Sequence, residues 1–177
     1  MALALTDCGS SGSQTGDDRH PSSSYHPLTA PPTSSPTDPH AAEKKEVLQS
    51  YSRFWEEQIK AYAKASLENT SLTKYATGDA LARAEGDLMS LKKAGNVMEG
   101  RPINNPKVAV FSTQNHTSKA KVTDCIDVSR WHVVNTKTGK TDPPPRGQLT
   151  RYVANVAAEK WGKQWMVLKV SLQERTC

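Results

Sequence analysis

The hydrophobic period of this chain changes once, at Pro102 and Pro106. Ahead of these prolines, sizeable apolar residues recur at threes and fours; beyond them they alternate with polar ones. The first spacing puts an apolar stripe on a helix, and the second gives a strand one buried face. Order is expected to begin after Thr37-Asp38-Pro39, where Asp38 or Thr37 can cap and Pro39 suits a first turn. Ala41 to Leu67 is the first helix-forming run, with Val47, Tyr51, Phe54/Trp55, Ile59 (or Gln58) and Tyr62 on one face, and Asn69-Thr70-Ser71 breaks it. A second helix runs from about Thr77-Gly78-Asp79 to Lys93, carrying Leu81, Ala84, Leu88 and Leu91, and Gly95-Asn96 closes it.

Strands follow. Lys107–Thr113 turns at Gln114-Asn115-His116 into Lys119–Val128, where Ala120, Val122, Ile126 and Val128 face one way and Lys119, Lys121, Thr123, Cys125 and Asp127 the other. Trp131–Thr136 continues the pattern to Thr138-Gly139-Lys140, and the run Pro143 to Gly147 is an exposed loop. Leu149–Ala158 and Gln164–Leu172 make a last hairpin around Trp161-Gly162-Lys163. Two helices followed by four or five antiparallel strands predict an α+β domain, a curved sheet wrapped on helices.

From Met1 to His40 only Leu3, Leu5, Tyr25 and Leu28 are sizeable apolar residues. Residues 9–40 are rich in Pro, Ser and Thr and cannot bury enough apolar surface to offset their ordering entropy. The expected organisation is therefore a residual signal-like segment over 1–8, a disordered linker over 9–40 with a coil span of roughly 30–35 Å, and the domain over 41–177. Such a domain is long enough to bury an ordinary core. It holds 22 Lys/Arg against 14 Asp/Glu, a balance of +8. That excess favours acidic partners such as anionic lipid heads, cell-wall polyanions or nucleic acid. The lysines are scattered, however, with no run beyond Lys44-Lys45 or Lys92-Lys93, so a solvated basic surface is the plainer reading, and no specific nucleic-acid motif occurs. No stretch reaches the ~18 apolar residues of a membrane span.

Three cysteines occur, Cys8, Cys125 and Cys177. A bond from Cys177 to Cys125 would pin the last strand to the central one and imply an oxidising compartment. The alternative is one buried and one terminal thiol in a reducing one.

The run Leu3-Ala4-Leu5-Thr6-Asp7-Cys8-Gly9-Ser10-Ser11-Gly12 resembles the lipobox and spacer of a bacterial lipoprotein, which implies lipidation of Cys8 and attachment through the N-terminus to a membrane or cell-wall surface. Two features depart from that pattern. Asp7 stands where Gly, Ala or Ser is expected, and no Lys or Arg precedes the apolar start. Either the start lies upstream of Met1 or this copy has lost its anchor and its export. Residues 45–177 are similar to uncharacterised secreted proteins and lipoproteins of actinobacteria such as streptomycetes. The matching pieces are Tyr51-x-x-Phe54-Trp55, Tyr75-Ala76-Thr77-Gly78, Gly100-Arg101-Pro102, the run Asp124 to Trp131, Trp165-x-Val167 and Cys177. The resemblance extends to cone-shaped domains related to nuclear transport factor 2 and the SnoaL-like cyclases. It implies the fold, the Cys125–Cys177 pairing and an extracytoplasmic setting, and it implies no activity, since that fold hosts enzymes and binders alike.

The densest polar cluster is Asp124, Asp127, Ser129, Arg130 and His132. In a hollow cone, Asp124 and His132 are candidates for base and electrophile. Asp124 lies in phase with Val122 and Ile126, so the stronger expectation is a buried carboxylate held by Arg130 or Arg151. Asp127, out of phase, is expected to be solvated. His20, His26 and His40 follow linker composition, and neither they nor His116 form a cluster of three or four metal ligands. No cofactor motif is present. Trp55, Trp131 and Trp165 read as core or sheet-face residues, and Trp161 as an exposed hairpin tip able to touch a partner or membrane interface. A non-catalytic binding or interaction domain is the leading expectation, and a small lyase, isomerase or cyclase using the cone the alternative. A polar pocket with converging Asp and His favours the enzyme; a hollow filled by Trp and Leu favours the binder.

Overall fold

The computed structural model describes residues 38–144 and 146–177. The signal-like segment with Cys8 and nearly all of the linker lie outside them, as do His20 and His26. Two helices, α1 (Ala41–Tyr62) and α2 (Gly78–Ala94), are followed by β1 (Asn96–Gly100), β2 (Ile103–Gln114), β3 (Thr117–Asp127), β4 (Trp131–Asn135), β5 (Arg151–Trp161) and β6 (Gln164–Leu172). The fold is α+β, as the change of period predicts. Four strands form one antiparallel sheet in the order β2-β3-β5-β6, and β1 pairs with β4 in a second, two-stranded sheet.

Helix α1 stops at Tyr62, short of Leu67. Ala65 turns into the left-handed region, and Ser66 N–H reaches back to the Ala61 carbonyl at 3.1 Å. The buried Glu57 carboxylate then accepts the Ser71 amide at 2.6 Å, which ties the returning chain to the helix. Helix α2 ends on Gly95 at φ +69°, a conformation glycine adopts without strain.

Strand β2 is longer than the alternation indicates, because it runs through Pro106. As an edge strand it tolerates a residue that cannot donate to the ladder. Asn115 and His116, both at positive φ, make the two-residue turn into β3. Register shifts between Val108 and Val110 and between Ala157 and Ala158 mark bulges, which bend the sheet. Both helices pack on it. Val47, Tyr51, Phe54 and Trp55 from α1, with Ala80, Ala84 and Leu88 from α2, meet Val122, Ile126, Val156, Trp165 and Val167. Part of the β6 edge is covered by the segment before α2, where Thr77 N–H donates to Val167 O and Val167 N–H to Tyr75 O. Cys125 and Cys177 form a disulfide.

Strand β4 does not continue the main sheet as the alternation of Trp131–Thr136 predicts. It pairs with β1, whose five residues follow the α2 cap directly. Gly100 is why the two strands fit. It sits at φ +82°, and a Cβ there would fall 1.9 Å from the Arg130 carbonyl oxygen. Asn135 closes β4: its Oδ1 accepts the amides of Lys137 and Thr138, and its Nδ2 bonds Asn96 across the pair.

Candidate functional site

Asp124 has no exposed surface, as its phase in β3 requires. Its partners differ from expectation. Neither Arg130 nor Arg151 reaches it, and among the described residues it forms no ion pair. Oδ2 accepts the Tyr51 hydroxyl at 2.9 Å and Asn104 Nδ2 at 2.8 Å, while Oδ1 accepts the Asn105 amide at 2.7 Å. Three donors from α1 and β2 thus replace the water a carboxylate loses on burial. Burial first, and the Asp124 charge second, push the Tyr51 phenol well above its usual range. The arginines lie elsewhere: Arg151 Nε is 3.4 Å from Cys125 Sγ, and Arg130 is exposed at the turn before β4.

His132 is exposed on β4, opposite Glu99. It lines a depression of about 250 Å³ with Ser129, Asp142 and Leu149, and Asp124 does not line it. The proposed base and electrophile are therefore not brought together. Asp127 is half-buried at the strand end, where the Ser129 hydroxyl and amide hold its carboxyl below the usual range.

A hollow of about 140 Å³ opens between α1, α2 and the inner face of the sheet. Phe54, Trp55 and Ile126 line it on one side and Ala80, Ala84 and Val170 on another, with Trp131, Tyr152 and Leu172 completing the wall. Four polar side chains join them: Gln58 and Tyr62 from α1, Arg83 and Asp87 from α2. Sequence reasoning missed this polar set. Its signal is Gln58, a glutamine in step with the apolar stripe of Tyr51, Trp55 and Tyr62. The Tyr62 hydroxyl donates to Asp87 at 2.7 Å, and burial, then that bond, raises its pKa far above the ordinary value. Arg83 forms no ion pair among the described residues. Its charge acts on Tyr62 and Tyr152 and works against the rise that burial imposes on both phenols.

The indole nitrogen of Trp131 and the carbonyl oxygen of Gln58 are buried without a hydrogen-bond partner among the described residues. The Trp55 indole N–H, by contrast, is directed at the Tyr51 hydroxyl and works against the rise of that phenol's pKa. The Trp165 indole does not line the hollow, and its N–H is directed at the Glu46 carboxylate, which it helps to hold below its usual range. Trp131 packs against Trp55 at 6.0 Å and Tyr62 at 5.4 Å between ring centres. Trp131 and Tyr152 also line the depression beside His132, so the two concavities are neighbours across those rings.

Trp161 is 52% exposed at the β5–β6 tip, as expected. The outward face of the sheet gathers Lys107, Lys119, Lys121 and Lys169, of which Lys119 pairs with Glu159 and Lys169 with Asp79. The His40 ring packs tilted against Phe111, 4.7 Å between ring centres, and His116 is exposed in its turn. No cluster of three His, Cys, Asp or Glu able to hold a metal occurs among the described residues. Among those residues no helix is long and apolar enough to cross a membrane.

No protein-family model matches the chain, and no curated protein does. Among solved structures it is similar to the intermembrane space region of the chloroplast protein ARC6, at a TM-score of 0.51 and 12% identity, over 77% of this chain and 96% of that one. A likeness at that identity is one of fold.

Proposed function

We propose that this protein is an exported, non-catalytic binding domain of the cell envelope, with a fold of the cone-shaped class, and that it binds through the hollow between its helices and its sheet. The observation that carries this reading is the wall of that hollow: rings of Phe54, Trp55, Trp131 and Tyr152 with buried, unpartnered polar atoms among them. A buried polar atom without a partner costs on the order of 1–3 kcal/mol, and a ligand that satisfies it recovers that cost. The arrangement of Asp124 supports binding over catalysis, since its carboxylate is engaged by three structural donors and does not line the cavity that His132 lines. The disulfide supports export, because such bonds persist in oxidising compartments. Anchoring through Cys8 is the further expectation of the lipobox-like run.

The test has two arms. Native cells are fractionated and the protein's N-terminus and cysteines are mapped by mass spectrometry. Recovery outside the cytoplasm with Cys125 bonded to Cys177 is expected; cytoplasmic recovery with both as thiols overturns the export reading. In parallel, compact aromatic probes that are anionic, neutral and cationic are titrated into the folded protein. Perturbation of hollow residues by at least one is expected, and silence from all three overturns the hollow as a binding site.

A further inference from the structure

We infer that the hollow takes a small organic acid with a compact apolar body, its carboxylate held by Arg83 and the Trp131 indole N–H. This rests on the hollow being the binding site and goes on to name the ligand's chemistry. Size limits the body. About 140 Å³ is close to the ~150 Å³ of an apolar protein cavity that admits benzene, so one ring or a short branched chain fits and a fatty acyl chain or steroid does not. Phe54, Trp55, Ile126, Ala84 and Val170 supply the apolar contact.

The sign of the head group follows from the unpartnered atoms. An aromatic wall with Asp87 at hand could also suit an organic cation, which binds ring faces. But the unpartnered Trp131 indole nitrogen is a donor only, and an alkylammonium offers it nothing to accept. A carboxylate does. Asp87 is already engaged by the Tyr62 hydroxyl at 2.7 Å, whereas Arg83, on the same helix and in the same wall, has no ion-pair partner among the described residues. The excess positive charge of residues 41–177 acts in the same direction. The unpartnered Gln58 carbonyl adds an acceptor, which favours an acid that also carries a hydroxyl or amino group near its carboxylate.

The experiment uses phenylacetate, its neutral analogue phenylacetamide and the cation phenethylammonium. Each is titrated into the disulfide-bonded protein while the four indole 15N–1H cross-peaks are followed. Phenylacetate is expected to move the Trp55 and Trp131 cross-peaks and leave Trp161 and Trp165 in place, with phenylacetamide binding about tenfold weaker or worse. Arg83→Gln, a change at an exposed position, is expected to weaken phenylacetate about tenfold while leaving phenylacetamide as it was, a selective loss that a merely structural effect would not produce. Trp131→Phe keeps a ring in place and is expected to weaken both acceptor ligands. The inference is overturned if phenethylammonium binds as tightly as phenylacetate, or if Arg83→Gln weakens acid and amide equally; in either case the hollow stands as a site and only the ligand class falls. If no probe moves the Trp131 cross-peak, the site falls with it.

Discussion

Asp124 is held by Tyr51, 73 residues before it, and by Asn104 and Asn105, about twenty before it. Its burial was legible from strand phase; its partners were not, because phase tells which way a side chain points and says nothing of what the fold sets opposite. Hydrogen bonds to a buried charge contribute about 1.5–3 kcal/mol each, so Tyr51→Phe is expected to cost about 2 kcal/mol. Asp124→Ala, which strands three donors, is expected to cost about 3 kcal/mol or more. Asp124→Asn falls between, since an amide turns a donor of its own toward donors already there. Thermal melts of the three variants beside wild type check this order, and Asp124 variants that melt at or above wild type would return the residue to the candidate catalytic groups. Glu57 gives the acid side of the stability curve. The Lys60 ammonium at 2.6 Å, followed by the Ser71 amide, holds its carboxyl below the ordinary 4.5 despite burial. A depressed folded pKa means the contribution is complete above about pH 4.5 and is lost as pH falls through the folded value. Glu57→Gln is expected to lower stability at neutral pH and to flatten its decline below pH 4.5. Melts from pH 7 to 3 read both effects, and parallel curves for the two proteins would discard the assignment.

The longer elements were legible because their patterns are local: the stripe from Val47 to Tyr62, the alternation from Ala120 to Ile126, and the turns at Asn115-His116 and Gly162. The β1–β4 pair was not. Residues 96–100 are too few to show a period and begin where α2 is capped, so the glycine signal for the end of the helix hides the start of the strand. What holds the pair is a contact without sequence periodicity, the close approach of Gly100 to the Arg130 carbonyl. Gly100→Ala must accept a left-handed backbone, about 1–2 kcal/mol, and also push β4 away. A total loss of about 3 kcal/mol is expected, with the displacement felt at Trp131, which faces Gly100 in register. The candidate site was hidden for the same kind of reason. Gln58 and Arg83 lie on different helices, and only the packing of α1 against α2 brings them to one wall. A melt together with the Trp131 indole cross-peak separates the outcomes: loss of stability with a shifted cross-peak is expected, and an unshifted one would mean that β4 is positioned by other contacts.

At the scale of the domain, the chain's last residues are joined to its middle. Beyond β6, Gln173 N–H donates to the Val153 carbonyl at 2.8 Å and Val153 N–H to the Arg175 carbonyl at 3.2 Å, so the terminal segment lies along β5 before Cys177 reaches Cys125 on β3. The bond spans 52 residues and encloses β4, the proline loop, β5 and β6. Closing a loop of that length in the unfolded chain is worth about 4 kcal/mol when the effect is treated as chain entropy, and less where the folded bond is strained or the reduced chain keeps residual structure. The hydrophobic core contains neither sulfur, and Cys125 sits on the outward face of β3, so reduction removes the cross-link and leaves the packing of the helices intact. The expected result is a folded but less stable reduced protein: Cys177→Ser and the reduced wild type melt together, several degrees below the oxidised form, with far-ultraviolet dichroism unchanged at low temperature. Hydrogen exchange places the effect, since the Val153 amide should lose protection on reduction while the Val122 and Ile126 amides, on the central strand, keep theirs. Were Cys177→Ser to melt with the oxidised protein, the cross-link would hold the terminal segment alone, and the domain's stability would rest wholly on the apolar contacts between α1, α2 and the sheet.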